Sequence, residues 1–166
     1  TDLSVLLAAK MVLLAGLAAD ELDAKAKVVS ALRSGAGLEV FRRCIEQQGG
    51  DPKVIDDYSR LPTAPSVAFV KAERSGYVAT MDAEKVGVAG MQLGAGRERA
   101  EDNVDHAVGI IVRAKPGEQV KAGDVVFEVA YRGEAKFGYA RPLLESVFTI
   151  ADAPPDASPL VLEEIA

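Results

Sequence analysis

The chain has no tryptophan, a single cysteine, a single histidine and only four tyrosines and five phenylalanines. With Cys44 alone, no internal disulfide can form, which fits a reducing compartment. The thiol has a nucleophilic reading and a structural one; its helix-like surroundings favour a buried structural cysteine. His106 as the lone imidazole excludes a multi-histidine metal site. No Lys/Arg cluster occurs, and a net charge of -6 argues against a nucleic-acid footprint. No serine, histidine and acid arrangement of the nucleophilic type is apparent. No apolar run reaches the roughly 20 residues a bilayer needs. The longest, residues 3–17, is interrupted by Lys10, has no basic leader and lacks a cleavage-type ending. It reads instead as a helix buried on most of its faces, for which this chain supplies few covering partners.

What is present is the composition of a folded chain. Hydrophobic residues make up 49% of the 166, enough to exclude disorder as the main state and to fill one medium domain or two small ones. Asp2 is placed to cap a helix over residues 3–18. After a break at Ala19-Asp20, Leu22, Ala26, Val29 and Leu32 recur at helical spacing over 21–33. Leu38, Phe41, Ile45 and Gln48 trace a third helix that stops at Gly49-Gly50.

Residues 51–65 read as an irregular linker, punctuated by Asp51-Pro52, Leu61-Pro62 and Ala64-Pro65. Beyond it, strands are expected over 67–72 and 77–81, joined by a turn at Arg74-Ser75-Gly76. A short helix over 83–93 follows, then strands over 107–114, 125–130, 144–150 and 160–165, with a proline-rich turn region over 152–159. The fold class is therefore α+β: a helical segment over 1–50, then a mainly β unit from residue 66.

Three motifs carry chemistry. Lys115-Pro116-Gly117-Glu118-Gln119-Val120 and Lys121-Ala122-Gly123-Asp124-Val125-Val126 form a turn-strand-turn unit of the kind found in biotinyl and lipoyl carriers. A carrier would place a lysine at a hairpin tip after that unit; the nearest candidate, Lys85, precedes it. Gly94-Ala95-Gly96-Arg97 offers glycines for positive φ or close approach and a forked, always-charged donor. It lacks the strand-loop-helix order and the Lys-Ser/Thr ending of a nucleotide loop, so docking against a neighbouring surface outweighs a direct phosphate contact. Glu101, Asp102 and Asp105 read as a solvated face, with Asp105 placed to cap backbone groups where the loop enters a strand. His106 has the chemistry of a proton shuttle, but without a paired nucleophile a structural or exposed role outweighs it.

Several segments together resemble the C-terminal part of the pyrimidine-nucleoside and thymidine phosphorylase family. They are Leu32-Arg33-Ser34-Gly35 with Phe41, Gln47-Gln48-Gly49-Gly50-Asp51-Pro52, Asp56-Asp57 with Leu61-Pro62, and Gly76-Tyr77-Val78. The set continues through Leu93-Gly94-Ala95-Gly96-Arg97, Glu101-Asp102 with Asp105, Ala107-Val108-Gly109-Ile110, Gly123-Asp124 and Pro159-Leu160 with Glu163-Glu164-Ile165. Residues 131–150 depart from the family's pattern.

The resemblance implies phosphorolysis by a glycosyltransferase of the pentosyltransferase type. Phosphate, the co-substrate, attacks C1′ of a pyrimidine (deoxy)nucleoside and releases the base and a (deoxy)ribose 1-phosphate. It also implies a cytoplasmic homodimer with no further cofactor and no metal. On this reading residues 1–50 belong to the catalytic α/β region. Residues 66–166 form an α/β-hammerhead domain of barrel-sandwich, biotinyl-like character. The family's phosphate-binding Lys-x-Ser, its glycine-rich segment and its base-contacting residues have no counterpart in residues 1–166, so no catalytic residue is carried over. What carries over is a loop that orders as the domains close, represented by Gly94, Gly96, Arg97 and Asp105. The chain alone is expected to be catalytically inert. The rival readings are a carrier or binding module and a free-standing subunit of a separate catalytic chain.

Overall fold

The computed structural model describes residues 1–97, 99–157 and 159–165. Its contacts divide the chain into two units, residues 1–60 with 160–165, and residues 61–159.

The first unit is helical: α1 (Asp2–Leu14), α2 (Glu21–Arg33) and α3 (Ala36–Gln47). Helix α1 starts one residue earlier than the capping pattern indicates and ends four earlier. Thr1 occupies the cap position without a side-chain bond, and Asp2 lies in the first turn. Gly16, at φ +69°, turns the chain out of α1. Helix α2 has the predicted bounds, and Asp20 caps it by accepting from the Asp23 backbone N–H at 2.8 Å. The Asp23 carboxylate reaches back past the cap to the Ala19 N–H at 3.0 Å and ties the preceding turn to the helix start.

Helix α3 ends as the two glycines foretell. Gly49 takes φ +78°, and the Gly50 N–H donates to the Ile45 carbonyl at 2.8 Å. The expected irregular linker instead carries two short 3-10 turns, Pro52–Ile55 and Tyr58–Arg60. Arg42 ties the first to α3 through a bidentate pair with Asp56 at 2.9 and 3.1 Å, and Arg60 pairs with Asp51 at 2.6 Å. The Arg42 guanidinium holds the Asp56 carboxyl below the usual carboxylate range.

This unit buries little. Val5, Ala9 and Ala24 are its only buried hydrophobics among the described residues, while Leu7, Met11, Leu14, Leu32 and Phe41 are exposed. Burial of α1 on most of its faces is therefore not seen within this chain. Cys44, expected inside, lies exposed on α3.

The second unit holds the core. Two three-stranded antiparallel sheets, in orders β1-β5-β3 and β4-β2-β6, are built from β1 (Ser66–Lys71), β2 (Gly76–Met81), β3 (Gly109–Val112), β4 (Gln119–Val120), β5 (Val125–Tyr131) and β6 (Phe148–Ala151). Helices α4 (Ala83–Leu93) and α5 (Glu134–Ser146) complete it. Phe127, Leu93, Leu144, Val78, Val126 and Val129 are fully buried in one cluster, with Phe127 edge-on to Phe148 at 5.8 Å.

Strands β1 and β2 form as expected but do not pair with each other. The turn at 74–76 instead passes the chain from one sheet to the other: β1 joins β5, and β2 joins β4 and β6. The tandem turns explain how β4 reaches β2. Glu118 N–H donates to Lys115 O and Asp124 N–H to Lys121 O, both at 3.0 Å, with Gly117 at φ +92° and Gly123 at φ +91° in the third positions. Each acid then accepts from the N–H at the start of its own turn, at 2.8 Å. The first turn bonds to Val78 in β2, the second to Ala72 just after β1.

Two strand expectations fail. Residues 134–146 are helix α5, and only Phe148–Ala151 of the apolar run is strand. A helical period that begins before the run takes over its first residues: Phe137, Ala140 and Leu144 are the buried residues of α5. Their burial outweighs the roughly 3 kcal/mol cost of Pro142 inside the helix. Residues 160–165 form no strand; Glu164 pairs with Lys10 of α1 at 2.8 Å.

Candidate functional site

The loop between α4 and β3 rises from the core on two stems. On one side Leu93, the last residue of α4, is fully buried; on the other, Val108 is buried just before β3. Between them the Asp105 N–H donates to the Gly94 carbonyl at 2.9 Å and closes the neck. The chain thus leaves the core at Gly94 and returns to it at Asp105 through one closed neck.

The two glycines have different tasks. Gly94 takes φ +104° as the C-cap of α4, and the Ala95 N–H donates to Gly90 O at 3.0 Å. Gly96 lies close to α4: a Cβ there would sit 2.7 Å from Met91 Cγ.

Arg97 is exposed and, among the described residues, has no ion-pair partner. At the tip, the Arg99 N–H donates to the Asp102 carboxylate at 2.8 Å. Glu101 is exposed. Asp105 caps the entry to β3, as its position suggested: one carboxylate oxygen accepts from Ala107 N–H at 3.0 Å. The other accepts from Arg132 Nε at 2.9 Å. These donors, the Arg132 guanidinium first, hold the Asp105 carboxyl below its usual range, with Lys136 adding a weaker electrostatic pull. His106 is exposed.

Reasoning from sequence missed Arg132 and Lys136. A Cβ on Gly94 would lie 3.1 Å from Lys136 Nζ, which places that ammonium beside the C-terminal cap of α4, where a cation is favoured. The only local signal is two cations four residues apart around Gly133, and it becomes legible only once residues 134–146 are known to be helical.

The other singled-out segments belong to other elements. Lys85 lies in the first turn of α4, paired with Asp82 at 3.1 Å, and not at a hairpin tip. The Gln47-Gln48-Gly49-Gly50 segment is the end of α3 in the helical unit. Among the described residues no group of three or more His, Cys, Asp or Glu could hold a metal. No described helix is long and apolar enough to cross a membrane.

Residues 77–151 match the family described as Pyrimidine nucleoside phosphorylase C-terminal domain. A pyrimidine-nucleoside phosphorylase of Staphylococcus aureus strain USA300 is 40% identical over 152 residues, covering 92% of this chain and 35% of that protein. Its counterparts in strains NCTC 8325 and bovine RF122 match to the same extent. The chain spans about a third of the length of these relatives.

Proposed function

We propose that this chain, which belongs with the C-terminal region of the pyrimidine-nucleoside phosphorylase family, serves phosphorolysis as scaffold and as the bearer of a domain-closing loop. The reaction is attack of phosphate on C1′ of a pyrimidine nucleoside, releasing the base and a pentose 1-phosphate. Residues 1–50 are the part contributed to the catalytic α/β region, residues 51–65 the connection, and residues 66–166 the hammerhead domain. Its barrel-sandwich character resides in the turn-strand-turn unit at 115–124. Phosphate is the co-substrate, and the working enzyme is a cytoplasmic homodimer.

The observation that carries the loop's role is the closed neck: Asp105 N–H on Gly94 O fixes the stems while Arg97 points a permanent charge outward. Such a loop can change the position of its tip without disturbing the core. Closure would exclude water and hold the reactants in line, effects worth orders of magnitude when geometry is lost. No residue of this chain is assigned to bond-making.

The purified 166-residue chain should release no base from thymidine or uridine in the presence of phosphate; measurable phosphorolysis refutes this assignment. In the longer enzyme, Arg97→Ala should lower kcat/KM by about tenfold or more with the fold intact, and unchanged kinetics would remove the loop from the mechanism.

A further inference from the structure

The start of α5 is tied into the core. Tyr131, the last residue of β5, is buried and stacks on Phe137 with ring centroids 4.4 Å apart. Its hydroxyl donates to Glu134 at 2.9 Å. Arg132 and Lys136 lie inside this aromatic clamp, so their backbone is set by the core and not by the loop. Arg132 bonds the Asp105 carboxylate at 2.9 Å, and Lys136 Nζ lies beside Gly94, 3.1 Å from where its Cβ would stand.

We propose that Arg132 and Lys136 are positioning residues for the foot of the 94–105 loop: Arg132 holds the Asp105 stem through its ion pair, and Lys136 sets its charge against the Gly94 stem. The functional part of this inference rests on the closing role argued above. The structural part does not. Two cations from one turn thereby fix where the loop leaves the core and where it returns. A loop held in this way has fewer conformations to lose on closing, which favours the closed geometry. Neither side chain touches reactants in this role; both act through the loop.

Amide hydrogen exchange on the full chain tests the structural part. Arg132→Ala should raise exchange at 95–104 by up to about fivefold, the scale of a partly exposed ion pair, while β5 and α5 core amides stay unchanged. Asp105→Asn, which keeps an acceptor for Ala107, should give the same increase, and the double variant no more than either single. Arg132→Lys should restore part of the protection. Lys136→Gln should raise exchange at the Gly94 end of the loop.

Unchanged loop exchange in Arg132→Ala, or strictly additive effects in the double variant, overturns the inference. Kinetics of the longer enzyme then separate the two readings. If Arg132→Ala frees the loop and lowers kcat/KM, with recovery in Arg132→Lys, positioning and closure both stand. If it frees the loop without kinetic effect, positioning stands and the closing role falls.

Discussion

Replacing Gly94 by alanine tests whether the loop is launched by backbone geometry. At φ +104° the residue lies in the left-handed region, where a Cβ crowds the following carbonyl. That strain is on the order of 1–2 kcal/mol per residue. Space adds little, because the nearest atom to a new Cβ, at 3.1 Å, is the Lys136 ammonium, which can give by a few tenths of an ångström and stay beside the stem. Gly94→Ala should therefore destabilise the second unit by about 1–2 kcal/mol. Asparagine, which tolerates this region better, should cost less.

Gly96→Ala is the control. Its φ is not positive, and its obstacle at 2.7 Å is the flexible Met91 side chain, which can shift. It should cost less than Gly94→Ala even though its contact is the tighter of the two. The measurement is the opening free energy of α4 and β3 from native-state hydrogen exchange. The reasoning is refuted if Gly94→Ala matches the wild type, or if Gly96→Ala proves the more damaging.

Gly76→Ala should be worse than either, because a Cβ there would meet the Ala151 backbone oxygen at 2.4 Å and Ile150 Cγ2 at 2.7 Å, with φ at +153°. Strain and overpacking together suggest a loss of roughly 2–5 kcal/mol, read as a lower urea midpoint; a midpoint near that of the wild type would contradict the packing of β2 against β6. Asp105 supplies a pH dependence. Its folded pKa is depressed by Arg132, the Ala107 N–H and Lys136, so its contribution is present above the unfolded value of about 3.9 and is lost as pH falls through the folded value. An NMR titration should place the Asp105 midpoint below the ordinary range and move it upward in Arg132→Ala; no movement would show that the guanidinium is not the cause.

Much of this molecule is legible locally. Helix α2 appears at its predicted bounds because its cap, its spacing and its stop at Ser34-Gly35 all lie within a few residues of one another. The end of α3 at Gly49-Gly50, helix α4 and the left-handed turns at Gly117 and Gly123 are legible for the same reason. The resemblance quoted from the sequence agrees with the family match over 77–151. The misread elements depend on distant partners. Arg74-Ser75-Gly76 has the composition of a hairpin turn, yet β1 and β2 find their partners in β5, β4 and β6, more than 35 residues further on in the chain. Composition at a turn carries no information about which sheet each flanking strand will join.

The sequence alone determined the loop: its two glycines, its arginine and the aspartate at its foot are local features with local chemistry. It also determined that residues 1–166 hold no internal disulfide and no multi-histidine metal site of their own, since one cysteine and one histidine permit neither. Only the tertiary structure decided what holds the loop. Arg132 lies 27 residues from Asp105 and Lys136 lies 42 from Gly94, and only the return of the chain along β5 into α5 brings each cation to its stem. Burial was likewise decided in three dimensions. A residue's apolarity states what it gains by leaving water, but whether Leu144 is covered and Phe41 is not depends on which surfaces the fold brings to them.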